Sequence, residues 1–344
     1  MRVLLLVAVF VFSTASLGAA QSKTLVELAN YRGADREAIL KAGAQKEGKL
    51  VWYTTLTAHR DIATVFEGKY PGIKVETYRT GSTDLLRRIL TEAESRRNLA
   101  DLIETTPPTL MVMRDSKLLL PYTSPHSALY PEESKEEADK SKVYWITDRE
   151  SLISLGYNKN LMKAAEVPKS FADLAKPENK GKIAVSGDST GVRFVGALIK
   201  VKGEEFVKQL KPLDIKMHMI SGGALHELLA AGEMPMSVSI FRNHVLSAQP
   251  RGAPTAWVPL DLVVSNAGGV ALPVASNHPY GALLLADFLL SPEGQKIFEE
   301  KFRFATSTKN YGFKRWYPEK GLTTEQYEKA QDRWKKLLME LVRK

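Results

Sequence analysis

The stretch Ala256–Phe298 reads AWVPLDLVVSNAGGVALPVASNHPYGALLLADFLLSPEGQKIF. Its pattern predicts one strand over Trp257–Val264, a glycine-containing connection at Asn266, Gly268 and Gly269, and a second apolar run over Val270–Val274. A helix follows over about Tyr280–Leu290 and breaks at Ser291-Pro292. Proline cannot continue a helix interior but suits a first turn, so Ser291 is expected to cap the next helical segment.

Upstream, Lys23–Glu47 reads as a leading helix, and Leu50–Tyr53 as a strand without polar alternation, the pattern of a strand covered on both faces. A helix over Ala58–Tyr70, a strand over Ile73–Tyr78, a helix over Thr83–Arg97 and a strand opening at Leu102-Ile103 follow. This βαβαβ alternation predicts a parallel sheet with helices on both faces. Leu118–Asp139 reads as loop and Ser151–Asn158 as a strand. A second group of elements comprises Gly181–Val185, helices over Val192–Val201 and Gly223–Ala231, and a strand over Met236–Ile240. Beyond Lys301, Tyr327, Trp334, Leu337, Leu338 and Leu341 fall near helical spacing, which predicts an appended helical tail packed on a lobe.

Composition narrows the function. Residues 1–20 carry Arg2, the apolar run Val3–Phe12 and the small residues Gly18-Ala19-Ala20, the pattern of an export signal cut ahead of Gln21. The chain has no cysteine, which excludes disulfides, thiol catalysis, thiolate metal sites and a lipidated cysteine. Without residues 1–20, 47 basic residues face 39 acidic ones, a net charge of +8. The basic residues are scattered, with no concentrated face for nucleic acid. A mildly basic exported protein that prefers anions is the expected reading. The length, with roughly 100–200 residues per domain, suggests two lobes.

The run N-A-G-G-V-A-L at 266–272, with His278-Pro279 and A-D-F-L-L-S-P-E-G-Q at 286–295, resembles the extracellular solute-binding proteins of bacterial ABC importers, in particular their iron(III)-type branch. More thinly, the resemblance covers about residues 48–300. It implies an α/β fold of two lobes, each a mostly parallel sheet flanked by helices, of the type II periplasmic-binding-protein kind. It also implies lobe one from 21–155 and 265–300, lobe two from 156–264, and a tail from 301–344. The protein would be a periplasmic monomer that captures a small solute without a cofactor, delivers it to an ABC permease and is not an enzyme.

Four times an apolar run stops at a Ser/Thr/Gly loop that opens a helix: Thr54–Thr57, Thr80–Thr83, Asp188–Gly191 and Ser221–Gly223. Helix N-termini expose unpaired N–H groups and partial positive charge, and in open parallel sheets such loops lie at the carboxyl ends of strands, where ligands bind. The candidate ligand-binding residues are therefore Thr54, Thr55, His59, Thr80, Ser82 and Thr106 on one lobe, and Ser189, Thr190, Gly191, Arg193, Ser221 and Gly222 on the other. Capping for stability alone, worth about 1 kcal/mol, is the commoner role of any one such loop, and it is the recurrence on both lobes together with the resemblance that carries the functional reading. Arg193 stands in a first turn, where a cation opposes the helix dipole, so either an anionic partner or a structural salt bridge would account for it. Arg242 follows a strand end within Phe241-Arg242-Asn243 and could hold a carboxylate or phosphate through two parallel hydrogen bonds.

Two rivals follow. A ferric-ion or iron-complex binder of the same family is one, but ferric-binding relatives carry a tyrosine pair on the segment matching Met236–His244, where this chain has Ile240, Phe241, Arg242 and Asn243, so the metal site does not carry over. Gly187-Asp188-Ser189-Thr190-Gly191 matches G-x-S-x-G, which makes a serine hydrolase acting through Ser189 the alternative of another class. A metal hydrolase is disfavoured, because the six histidines show no H-x-x-x-H or H-x-H spacing.

Overall fold

The computed structural model describes residues 25–342; the proposed export signal lies outside them. Twelve strands form one continuous, curled sheet. Its first five are β1 (Lys49–Thr54), β2 (Lys74–Arg79), β3 (Leu102–Thr105), β4 (Leu119–Leu120) and β5 (Lys135–Asp139). The long crossing strand β6 (Lys142–Asn158) leads to β7 (Ile183–Ser186), β8 (Lys216–His218), β9 (Met236–Phe241) and β10 (Thr255–Val258). The chain returns through β11 (Val263–Pro273), and β12 (Arg315–Trp316) lies beside that return.

The main strand order is β2-β1-β3-β11-β6-β9-β7-β8. Reading outward from the crossing pair, each half places its third strand first, then its first, then its second. Strands β1, β2 and β3 are mutually parallel, as are β7, β8 and β9. Because β3 runs antiparallel to β11 and β9 antiparallel to β6, the two parallel sets point at one another. Their carboxyl ends therefore face across the crossing strands. Thr105 and Thr147 both sit opposite Gly269, and Phe241 sits opposite Ile153. Six residue steps along β6, from Thr147 to Ile153, separate these two levels, roughly 20 Å at about 3.3 Å per step.

The region expected to be a glycine connection is instead an uninterrupted strand. β11 runs through Asn266, Gly268 and Gly269 and pairs with β6 from Val264↔Ile153 to Ala271↔Trp145, with a bulge between the two glycines. Glycine stands there because the backbone passes close to other groups. A Cβ on Gly268 would lie 2.4 Å from Glu104 Oε1, and one on Gly269 would lie 2.7 Å from Leu110. The crossing strand β6 likewise begins at Lys142, earlier than Ser151, and β5 pairs with it as a hairpin inside the stretch read as loop. The leading helix is also two pieces: residues 25–30 are helical, and Arg36–Glu47 forms a second helix.

The helix Pro279–Leu290 is buried on nearly every face, matching its unbroken apolar composition. Asp101 and Glu47 hold its amino end: Asp101 Oδ1 accepts from the His278 N–H at 2.9 Å, and Glu47 Oε2 from the Gly281 N–H at 2.8 Å. Ser291 caps the following helix by accepting from the Gly294 N–H at 3.1 Å, as its place before Pro292 predicted.

The tail helix Thr324–Val342 buries Tyr327, Trp334, Leu337, Leu338 and Leu341. It packs mainly on the helix Ser189–Lys202, where Gly196 leaves room for the Trp334 ring. Its amino end reaches the other half: Thr324 donates to Asp115 at 2.5 Å, and Lys320 donates to the Lys135 carbonyl at 2.6 Å. The expected packing on one lobe thus extends to contact with both.

Trp334→Ala should destabilise the protein by about 3–5 kcal/mol, the usual cost of removing a large buried aromatic, read as a lower urea midpoint. Arg193→Ala should cost a similar amount, about 3–5 kcal/mol, because Glu319 would be left as an uncompensated buried charge. An unchanged urea midpoint would refute either expectation.

Candidate functional site

Loops at the carboxyl ends of the two strand sets hold most of the candidate residues. On one side stand Thr54–Thr57 after β1, Thr80–Ser82 after β2 and Thr106 after β3. On the other stand Gly187–Gly191 after β7, Met219–Gly222 after β8 and Phe241–Asn243 at the end of β9. Among the described residues, no hydrogen bond or ion pair joins the first set to the second.

The first wall is organised by Glu104, a fully buried acid on β3 that the sequence reading missed. One of its oxygens accepts from the Thr54 hydroxyl at 2.5 Å and from the Thr55 N–H at 3.2 Å, and the Thr55 hydroxyl lies 3.4 Å from it. The other accepts from Arg149 Nη2 at 2.9 Å. Thr54 in turn accepts from the Leu56 N–H at 2.9 Å. The donors of Thr54 and Thr55, expected to serve a ligand, are therefore turned inward onto a carboxylate. His59 Nδ1 lies 3.0 Å from the Leu56 carbonyl, which can only accept. Asp148, beside this cluster on β6, is fully buried, and burial together with the nearby Glu104 raises its pKa well above the usual carboxylate range.

On the second wall, two helix ends are filled by the chain's own side chains. Asp188 accepts from the Thr190 N–H at 2.7 Å and the Ser186 hydroxyl at 2.6 Å, and Ser221 accepts from the Ala224 N–H at 3.3 Å. Capping thus accounts for both loops. Gly191 packs so closely that a Cβ would fall 1.9 Å from the Ser186 carbonyl oxygen. Thr190 is buried and Ser189 exposed. Ser189 bonds to no histidine among the described residues, so the nucleophile–base pair that a serine hydrolase needs is not assembled there.

The expectation that Arg193 serves a ligand needs correction. Its guanidinium is only 5% exposed and bonds Asn266 Oδ1 on β11, Tyr327 at 3.2 Å and Glu319 at 3.0 Å. It joins the return strand β11 to the tail, the structural salt bridge that the sequence reading also left open. Arg242 differs. It is half-buried, its guanidinium carbon lies 5.0 Å from the centre of the Tyr311 ring, and it has neither hydrogen bond nor carboxylate partner among the described residues. Phe241 lies edge-on to His244, 5.1 Å between ring centres, and burial pushes the His244 pKa down to about 4, so this neighbour is neutral. Tyr311 was outside the sequence reading, since nothing local links it to Arg242.

Residues 61–322 match the family described as bacterial extracellular solute-binding proteins. An uncharacterized protein from Haemophilus influenzae is 28% identical over 283 residues, covering 76% of this chain and 80% of that protein. An Fe(3+)-binding periplasmic protein from Serratia marcescens is 25% identical over 247 residues, covering 69% of this chain and 71% of that one. The crystal structure of iron-bound HitA from Pseudomonas aeruginosa superposes with a TM-score of 0.66 at 23% identity, covering 85% of this chain and 99% of that one. The periplasmic binding protein AfuA from Actinobacillus pleuropneumoniae, with exogenous fructose-6-phosphate bound, gives a TM-score of 0.61 at 24% identity, covering 86% and 98%. The two-lobed architecture is that of the type II periplasmic binding proteins. With its strand order, its facing loops and a family match across most of its length, the chain belongs to the bacterial extracellular solute-binding proteins, the solute-capturing components of ABC importers.

Proposed function

We propose that this chain captures a small anionic solute between its two lobes in the periplasm and delivers it, as a monomer, to its ABC permease. The observation that carries the anionic reading is Arg242, a half-buried guanidinium held over Tyr311 with no carboxylate among the described residues to neutralise it. A guanidinium that meets a ring face keeps N–H donors for a carboxylate or phosphate, in the fork geometry that suits both. Phe241, Asn243 and the exposed Ser189 would complete that wall, with Thr80, Ser82 and Thr106 opposite. The solute touches both lobes only when they close, so binding shifts an open–closed equilibrium by its differential affinity for the closed form. Ligand capture, with no chemical step, accounts for the whole site.

A second reading rests on the relatives whose names record ferric iron. Against it stands Arg242, whose fixed charge would repel a trivalent cation unless an anion intervened. Iron binding would show as charge-transfer absorbance on adding ferric salts.

Arg242→Ala should weaken binding of the best small anion from a thermal-shift screen by at least roughly tenfold, the loss expected for one charge-assisted contact, with the urea midpoint unchanged. Calorimetry that returned the native affinity would remove the anion argument.

A further inference from the structure

The ring beside Arg242 comes from outside its own half of the sheet. Tyr311, whose ring centre lies 5.0 Å from the Arg242 guanidinium carbon, belongs to the tail, and the tail is fixed elsewhere. Ala305 exchanges two backbone hydrogen bonds with Glu150 of β6, at 2.8 and 2.9 Å. The Thr306 hydroxyl donates to Gln295. The Tyr311 hydroxyl donates to Glu299 at 3.1 Å and accepts from the Thr306 N–H at 3.0 Å. Gln295 and Glu299 lie on the helix Pro292–Glu300, which follows the buried helix packed beside β1. Burial pushes the Tyr311 pKa up to about 12, so the phenol stays neutral and keeps both bonds.

A row of contacts then leads into the opposite half. Phe313 lies nearly parallel to Tyr311, at 18° and 5.9 Å between ring centres, and Trp257 of β10 lies 5.7 Å from Phe313. Trp257 is tied to β9 by donating to the Ile240 carbonyl at 3.1 Å. Two further cations approach the Tyr311 ring, Lys309 at 5.5 Å and Arg315 at 5.8 Å, but each has its own acid. Lys309 bonds Glu299 at 2.7 Å, and Arg315 bonds Glu150 at 2.9 Å. Of the three, Arg242 alone lacks a carboxylate among the described residues, so attraction to the ring is what steadies its guanidinium.

We infer that Tyr311 is a positioning residue for the solute: anchored to the half that carries β1, β2 and β3, it aims the Arg242 guanidinium of the other half at an anionic group. The tail segment 305–313 is thereby part of the binding site. A free arginine side chain loses much rotamer freedom on binding, whereas one already held over a ring has less to lose, and the saving appears as affinity. The contact also joins the two halves. Its attraction fades beyond about 6 Å, so a hinge movement that draws Tyr311 away releases Arg242 and loosens the grip on the anion. The inference rests on the anionic reading proposed above and deepens it by naming what aims the cation.

The test is a double-mutant cycle read by calorimetry on the full chain, with inorganic phosphate, sulfate, acetate and succinate as probes and the tightest of them carried through. Tyr311→Leu should weaken binding roughly fivefold, the worth of one cation–π contact. Tyr311→Phe keeps a ring face against Phe313 and should lose no more than about twofold. In the Arg242→Ala background Tyr311→Leu should cause no further loss, because no guanidinium remains to be aimed; a ring with a merely structural role would weaken binding in both backgrounds alike. Tyr311→Met replaces the leucine variant should that one fail to fold. Native affinity in Tyr311→Leu, equal losses in both backgrounds, or a phenylalanine variant as weak as the leucine one overturns the inference, and the anionic reading stands so long as Arg242→Ala alone weakens binding. Native affinity in Arg242→Ala, or no binding of any of the four anions to the native protein, overturns both.

Discussion

The antiparallel pairing of β6 with β11 is the constraint on which the structure depends. These two strands belong to both halves of the sheet, so their directions fix the directions of everything hydrogen-bonded outward from them. Given that β3 and β9 attach antiparallel on opposite sides, the carboxyl ends of six strands must meet across the crossing. The pairing also explains why three consecutive ionisable residues, Asp148, Arg149 and Glu150, are buried in one strand. Arg149 reaches Glu104 and through it the loop after β1, while Glu150 accepts from Arg315 at 2.9 Å and also from Tyr317 in the tail. Buried charge is costly unless paired, so these contacts tie the crossing strand firmly to its surroundings.

Elements whose boundaries are local in sequence could be read from it. Ser291 before Pro292, the apolar helix after His278 and the spacing of Tyr327, Trp334, Leu337, Leu338 and Leu341 each announce a structure that the neighbouring residues decide. Failures came where long-range packing decides. Gly268-Gly269 looks like a turn because glycine usually marks one, yet here the glycines admit Glu104 and Trp145 beside a strand. Arg193 was placed in a first turn, but the helix opens at Ser189 and Arg193 is its fifth residue, and its partners Asn266, Glu319 and Tyr327 lie 73 to 134 residues away. Glu104 carried no signal at all, since a single acid at a strand end is ordinary until Arg149 is seen against it.

The same distinction applies to hydrogen-bonding roles. The sequence marked Thr54 and Thr55 only as candidate ligand contacts, and what engages their hydroxyl groups is a carboxylate 49 or 50 residues further along the chain. Of the helix amino ends, the most general anion signal in the sequence, the two after β7 and β8 are filled by Asp188 and Ser221, whereas those after β1, β2 and β3 carry no side-chain cap. Charge left unneutralised in the folded chain is the more selective indicator, and it could be recognised at Arg242 only once every potential partner had been positioned.

The order of strands has a consequence for how the molecule is born. β11 lies between β3 and β6 in space but follows them by more than a hundred residues in sequence. The amino-terminal half therefore cannot close its sheet until residue 273 is available, and such late, non-local pairing slows folding.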